Sequence, residues 1–249
     1  MDYLEIKDIY FSYQSREVLK NINISINKGE SITIFGPNGS GKTTLLKIIL
    51  GILKPDEGKI FFKGKDILKF SERERAKIFS YVPQKVYTFF PMSTFDYLIL
   101  GRTPYINGFI KKEDKEVVLN WIEKFNLDYI KDLNFQFLSE GEKQLITLIR
   151  TFIQGSEVII LDEPLTHLDL KYRFKILNIL KKIKEMGKTI ISVFHDLESI
   201  KNISDRIVLI KNGKILEIGE VDKILTKENL TILFDEDFIK FTKAESLFL

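Results

Sequence analysis

Between Gly36 and Thr43 the sequence reads GPNGSGKT, the spacing G-x-x-x-x-G-K-[ST] set between a short apolar run, SITIF, and a helical stretch, KTTLLKIILGIL. Glycines at these positions let successive backbone N–H groups point into one concavity, which holds phosphate oxygens. A helix starting near Gly41 adds the positive end of its dipole. Lys42 can reach the β- and γ-phosphates of a nucleotide, and the Thr43 hydroxyl can ligate Mg2+. Pro37, Asn38, Gly39 and Ser40 complete the loop, and Thr44 follows in the first helical turn, so Gly36 to Thr44 form the candidate nucleotide-binding set.

A second group of chemically able residues follows the apolar run in EVIILDEP (157–164), which ends in Asp162 and Glu163. In an open parallel sheet ligands collect at the carboxyl ends of the strands, where the phosphate loop also belongs. Asp162 is then placed to hold Mg2+ through a water, and Glu163 to polarise an attacking water as general base. His195 follows another buried run, TIISVF, again at a strand end. A histidine alone there reads as a helix cap or a satisfied polar group; in this company it reads as a γ-phosphate contact. His167 has no such position and reads as structural.

The elements that must position these residues are visible as patterns. LEIKDIYFSY and VLKNINISI alternate apolar and polar residues, as two antiparallel strands joined by the polar turn QSRE do. KIFFKGKDIL reads as a short hairpin returning to that sheet, and RIVLI–KNGK–ILEIG as a hairpin on an Asn-Gly turn. Residues 85–154 are mainly helical in pattern: TFDYLILGR, EDKEVVLNWIEKFNL, and a third helix from Glu142 to about Ile153. RFKILNILKKIKEM and DLESIKNI are further helices. The order predicts an α/β fold, a mostly parallel sheet covered by helices. After Val221 the chain is polar, with one apolar cluster near the end.

Composition bounds the rest. The chain has 249 residues, 38 basic and 35 acidic, no cysteine and two histidines. Thiolate metal sites, Fe–S clusters and disulfides are excluded. Charges are interspersed with no basic tract, so no nucleic-acid partner is expected. Asp2 and Glu5 oppose a signal peptide. The apolar stretches LLKIILGIL and LITLIRTFI fall well short of the ~20 residues a spanning helix needs, so the chain is not expected to cross a membrane by itself.

With these residues in hand the chain resembles the ATP-binding subunits of ABC transporters, up to about Gly219. GPNGSGKT looks like the family's Walker A motif and VIILDEP its Walker B; YVPQ places the Q-loop glutamine at Gln84. LSEGEKQ, containing Ser139, Glu140, Gly141 and Glu142, looks like the signature LSGGQ or LSGGERQ; THLD resembles the D-loop, ending in Asp169; FHD resembles the H-loop with His195. Tyr13 in IYFSY matches the aromatic that stacks on adenine. The resemblance implies a P-loop NTPase (RecA-like) core with an N-terminal antiparallel β-subdomain and a helical insertion at about 85–154, together spanning 1–220, and then a tail, 221–249. It implies ATP and Mg2+ as ligands, with Glu163, His195 and Gln84 catalytic and Thr43, Gln84 and Asp162 toward the metal.

It also implies partners: a second copy of the chain, whose signature loop completes each ATP site, two polytopic membrane permease subunits, and a separate substrate-binding protein, with the chain at the cytoplasmic face of the membrane. MSTFDYLILGRTPYING is similar to the corresponding stretch in importers of iron–siderophore, haem and cobalamin complexes. One departure stands out, Glu140 in place of the first signature glycine. A carboxylate aimed at a γ-phosphate opposes closure, yet at a helix N-terminus it is favourable by about 0.3–1 kcal/mol. Ser139 and Gly141 are intact, so an active enzyme is expected. The competing readings are a soluble ABC ATPase of cluster assembly or repair, a regulator that binds nucleotide without hydrolysing it, and an exporter with separate membrane chains.

Overall fold

The computed structural model describes residues 3–88 and 90–234. In chain order the first elements are β1 (Leu4–Tyr13), β2 (Arg16–Ile26), β3 (Ser31–Phe35), α1 (Lys42–Ile49), β4 (Glu57–Phe62), β5 (Lys65–Asp66), α2 (Glu72–Ile78) and β6 (Phe79–Val82). The helices α3 (Thr94–Ile99), α4 (Lys112–Lys124) and α5 (Glu140–Gln154) follow, then β7 (Val158–Asp162), α6 (Leu170–Glu185), β8 (Thr189–Val193) and α7 (Leu197–Ile203). β9 (Arg206–Lys211), β10 (Lys214–Glu220), α8 (Val221–Ile224) and α9 (Lys227–Phe234) complete the described chain. The described residues divide into two compact units, one formed by residues up to 69 with those from 183 onward, the other by residues 70–182.

The first unit contains an antiparallel sheet in the order β2-β1-β4-β5, as the alternating sequence predicts. The turn after β1 is tighter than the QSRE reading: Tyr13 pairs with Arg16 and Ser12 with Glu17, leaving Gln14 and Ser15 as the loop. Gln14 takes a positive φ of 53° there, which a two-residue hairpin demands. In the same unit β3 runs parallel to both β8 and β9, and β9 returns antiparallel as β10 through Asn212 and Gly213, both at positive φ. β3 and β8 are buried along their whole length, as their largely apolar runs predict for strands covered on both faces. Two of their polar side chains meet, with a third from beyond α7: Thr33 Oγ1 lies 2.7 Å from Ser192 Oγ and 2.5 Å from Ser204 Oγ. Residues 221–234, read from sequence as a polar tail, fold as α8 and α9, burying Val221, Ile224, Leu230 and Leu233. The apolar cluster near the end lies outside the described residues.

In the second unit β6 and β7 pair in parallel, Tyr81 opposite Ile160. Ser71 caps α2 in a reciprocal pair with Glu74. The helices pack through aromatic contacts: Tyr97 stacks on Phe135 at 3.8 Å between centroids, and Trp121 on Phe152 at 5.0 Å. α5 ends at Gly155 with φ 68°, and the Gln154 amide donates to the Ala76 and Phe79 carbonyls, tying the helix to the start of β6. Among the described residues no helix is long and apolar enough to cross a membrane.

The buried hydroxyl cluster gives a measurable expectation. Thr33→Val keeps the shape but removes the hydroxyl both serines share, lowering stability by about 1–3 kcal/mol. Urea unfolding should show an earlier midpoint with unchanged slope.

Candidate functional site

In the first unit the loop between β3 and α1 takes its shape from where it is tied. Gly41 sits at the head of α1 with φ 103°, a conformation that side chains strongly disfavour, and a Cβ there would lie 2.7 Å from Leu19 Cδ2. The first turn of α1 holds no acidic residue and no side chain caps it, so its N–H groups and dipole face the loop. Lys42 is buried and folds back so that its Nζ donates to the Gly36 and Pro37 carbonyls at 2.8 and 2.9 Å. Its ammonium is therefore held inside the loop rather than in solvent. Ser40 Oγ is buried with no hydrogen-bond partner, an orphan that fits an oxygen-rich ligand. Tyr13, at the end of β1, is 46% exposed and stands edge-to-face with Phe11, which leaves ring surface accessible for stacking. His195 is exposed just beyond β8, next to Asp196, which caps α7 by accepting from Ser199 N at 2.8 Å.

In the second unit the two carboxylates at the end of β7 have different settings. Asp162 is buried, and the Tyr81 hydroxyl donates to its Oδ2 at 3.0 Å. Burial first, then the Asp162 charge and this hydrogen bond, push the Tyr81 phenol well above its ordinary value, so it remains a donor. Glu163 turns away from the strand in the left-handed region, φ 52°, a strained conformation for a residue with a long side chain. Its Oε2 accepts from Gln84 Nε2 at 2.5 Å and from Thr166 Oγ1 at 3.5 Å. Gln84 and Glu163, far apart in sequence, are thus brought together, and Tyr81 with Asp162.

Ser139 is the N-cap of α5, which begins at Glu140 rather than at Glu142. The Ser139 hydroxyl donates to Glu142 Oε2 at 2.7 Å, and Ser139 N donates to the same oxygen at 2.9 Å. Gly141 lies against the Tyr172 ring, where a Cβ would come within 2.5 Å of the ring carbons. Burial, and next the Glu142 charge, raise the Tyr172 phenol above its ordinary value. Asp169 caps α6, its Oδ1 accepting from Tyr172 N at 2.9 Å.

Sequence reasoning did not single out Tyr81, Thr166 or Tyr172. Tyr81 adjoins the glutamine of YVPQ, and its partner became visible only through the pairing of β6 with β7. In the first unit the Thr43 hydroxyl, and in the second the Gln84 amide oxygen and the Asp162 carboxylate, are each hard oxygen donors, the chemistry Mg2+ selects. Among the described residues no group of three or more His, Cys, Asp or Glu could hold a metal ion.

The chain is similar to known proteins over most of its length. The model of a family described as ABC transporter matches residues 19–166. The iron(3+)-hydroxamate import ATP-binding protein FhuC of Bacillus subtilis is 31% identical over 240 residues, covering 95% of this chain and 89% of that one. A metal-chelate type ABC transporter in an inward-facing conformation superposes with a TM-score of 0.82 at 30% identity, covering 94% of this chain and 89% of that chain. A dimeric ATP-binding cassette in a post-hydrolysis state, bound to ADP and Pi, superposes with a TM-score of 0.78 at 26% identity, covering 88% and 98%.

Tyr81→Phe tests the hold on Asp162. Outer-shell hydrogen bonds of this kind are worth roughly 10–100-fold in metal affinity. Mn2+ binding with nucleotide present, followed by EPR, should weaken by about tenfold or more, while metal-free nucleotide binding stays unchanged.

Proposed function

The chain belongs to the ABC transporter family, and from that premise we propose that it is the ATP-hydrolysing subunit energising import of an iron chelate through separate membrane subunits. The observation that carries the hydrolytic reading is the arrangement at the end of β7. Asp162 is fixed by Tyr81, and Glu163 is aimed by Gln84. The relatives named for iron-hydroxamate import and metal-chelate transport support the cargo class, as does the resemblance of the GRTPYING stretch. Haem and cobalamin are the neighbouring cargo chemistries.

In this reading the loop Gly36 to Thr44 cradles the phosphates, Lys42 spans the β- and γ-phosphates, and Tyr13 stacks on adenine. Thr43, Gln84 and Asp162 would hold Mg2+, which when bound would offset phosphate charge. Glu163 accepts a proton from water as the water oxygen bonds to the γ-phosphorus and the bond to the ADP oxygen breaks. His195 contacts the γ-phosphate. Each site is completed by a second copy, whose Ser139, Glu140, Gly141 and Glu142 face the ATP and whose Asp169 lies beside it. ATP then favours the closed pair and hydrolysis releases it, a ligand-driven population shift. The dimeric cassette with ADP and Pi supports this arrangement.

The second unit also carries a surface suited to the membrane subunit. Thr94 N donates to Leu133 O, Phe135 N to Met92 O, and the Gln136 amide to Thr88 O, drawing Thr88, Met92 and Thr94 against 133–136. This brings exposed Tyr87 and Phe90 near exposed Leu133 and Phe137, a cluster of the kind that marks an interaction site. Docking there places the chain on the cytoplasmic side of the membrane, with a separate substrate-binding protein delivering cargo from the other side.

Glu163→Gln should lower Mg-dependent ATPase by about 10²–10⁴-fold while ATP binding and ATP-driven dimerisation persist; equal, negligible turnover of both proteins in the assembled transporter would favour a regulator. Phe137→Asp should reduce co-purification with a polytopic membrane protein and leave ATP binding by the isolated subunit intact. Recovery of soluble partners alone, by either protein, would remove the transport reading.

A further inference from the structure

The helix end that carries the signature loop holds an arrangement that its usual glycine could not. Glu140 occupies the first position of α5, and Lys143 Nζ lies 2.9 Å from its Oε1. The two side chains differ in setting, 68% exposed for Glu140 and 16% for Lys143. Lys143 is thus the better-anchored member, and it draws the Glu140 carboxylate along the flank of the helix. The rest of the loop has little freedom to turn Glu140 elsewhere. Ser139 and Glu142 are locked in a reciprocal cap, and Gly141 is wedged against the Tyr172 ring. Two carboxylates and one ammonium therefore share the first turn of α5, and removing the ammonium leaves two negative charges where a helix dipole offers only a fraction of one positive charge.

We propose that Lys143 is a charge-compensating positioning residue for nucleotide-driven pairing of two copies, holding Glu140 aside and offsetting its charge as the facing triphosphate approaches. The inference rests on the reading that Ser139 to Glu142 face the ATP of a second copy. Its particular content is a coupling: Lys143 matters because Glu140 is there. Like charges a few ångströms apart at a protein surface repel strongly enough to shift an equilibrium about tenfold, and an exposed interaction of this kind weakens as salt rises.

The test uses the full chain carrying Glu163→Gln, in which ATP-bound pairs are not lost to hydrolysis. Dimer formation is followed by analytical ultracentrifugation against ATP concentration. Lys143→Gln should raise the ATP needed for half-maximal pairing about tenfold, with the shift shrinking in high salt, and Lys143→Arg should restore it. In a Glu140→Gly background the same Lys143→Gln change should have almost no effect, a non-additivity that a merely structural lysine would not produce. Equal shifts in both backgrounds would overturn the proposal. Failure of the Glu163→Gln protein to pair on ATP at all would overturn the reading beneath it, and this inference with it.

Discussion

A triphosphate brings several negative charges to a protein surface, and no stable fold can accept them without fixed positive potential already in place. The first unit meets that constraint with backbone rather than with a crowd of cations. β3 is buried along both faces, so its end is rigid, and the loop leaving it inherits that rigidity. The uncapped N-terminus of α1 supplies N–H groups and dipole, and Lys42 supplies a full charge. That ammonium is already desolvated and held by two loop carbonyls, so little side-chain entropy remains to be lost when phosphate arrives.

The second unit applies the same economy to two adjacent acids. Asp162 and Glu163 are neighbours in sequence but not in environment. One is buried at the strand end with a phenol on it, while the other is swung out and takes its hydrogen bonds from an amide and a hydroxyl. Environments that differ in this way allow one carboxylate to serve an ion and the other a proton. The reversal of direction between them is made by the backbone, through the positive φ at Glu163.

Much of this was legible because it is local. The phosphate loop is a contiguous string, and SITIF, VIILD and TIISV are mostly apolar, as strands buried along their whole length are. The Asn-Gly turn declared its hairpin. What escaped was set by distance or by weak pattern. β6 is only four residues long with a serine and a tyrosine among them, so neither the strand nor the Tyr81 contact that depends on its pairing stood out. Tyr172 lies a helix and a strand away from Gly141 in sequence, and nothing in the signature motif names a ring against its glycine. α8 and α9 were hidden by their polar faces, since each buries only two apolar side chains.

The left-handed turn at Glu163 has a further meaning. It is held between buried Asp162 and buried Pro164 and closed by the bond from Thr166 N to Glu163 O. A joint kept in an unfavourable conformation by its neighbours is the first to relax when those neighbours loosen. Mild warmth or dilute denaturant should then let the carboxylate drift from its aim while the sheets are still whole. With Glu163 as the proposed general base, hydrolysis is then expected to fail as a fuse does, at a lower threshold than the one that melts the scaffold around it.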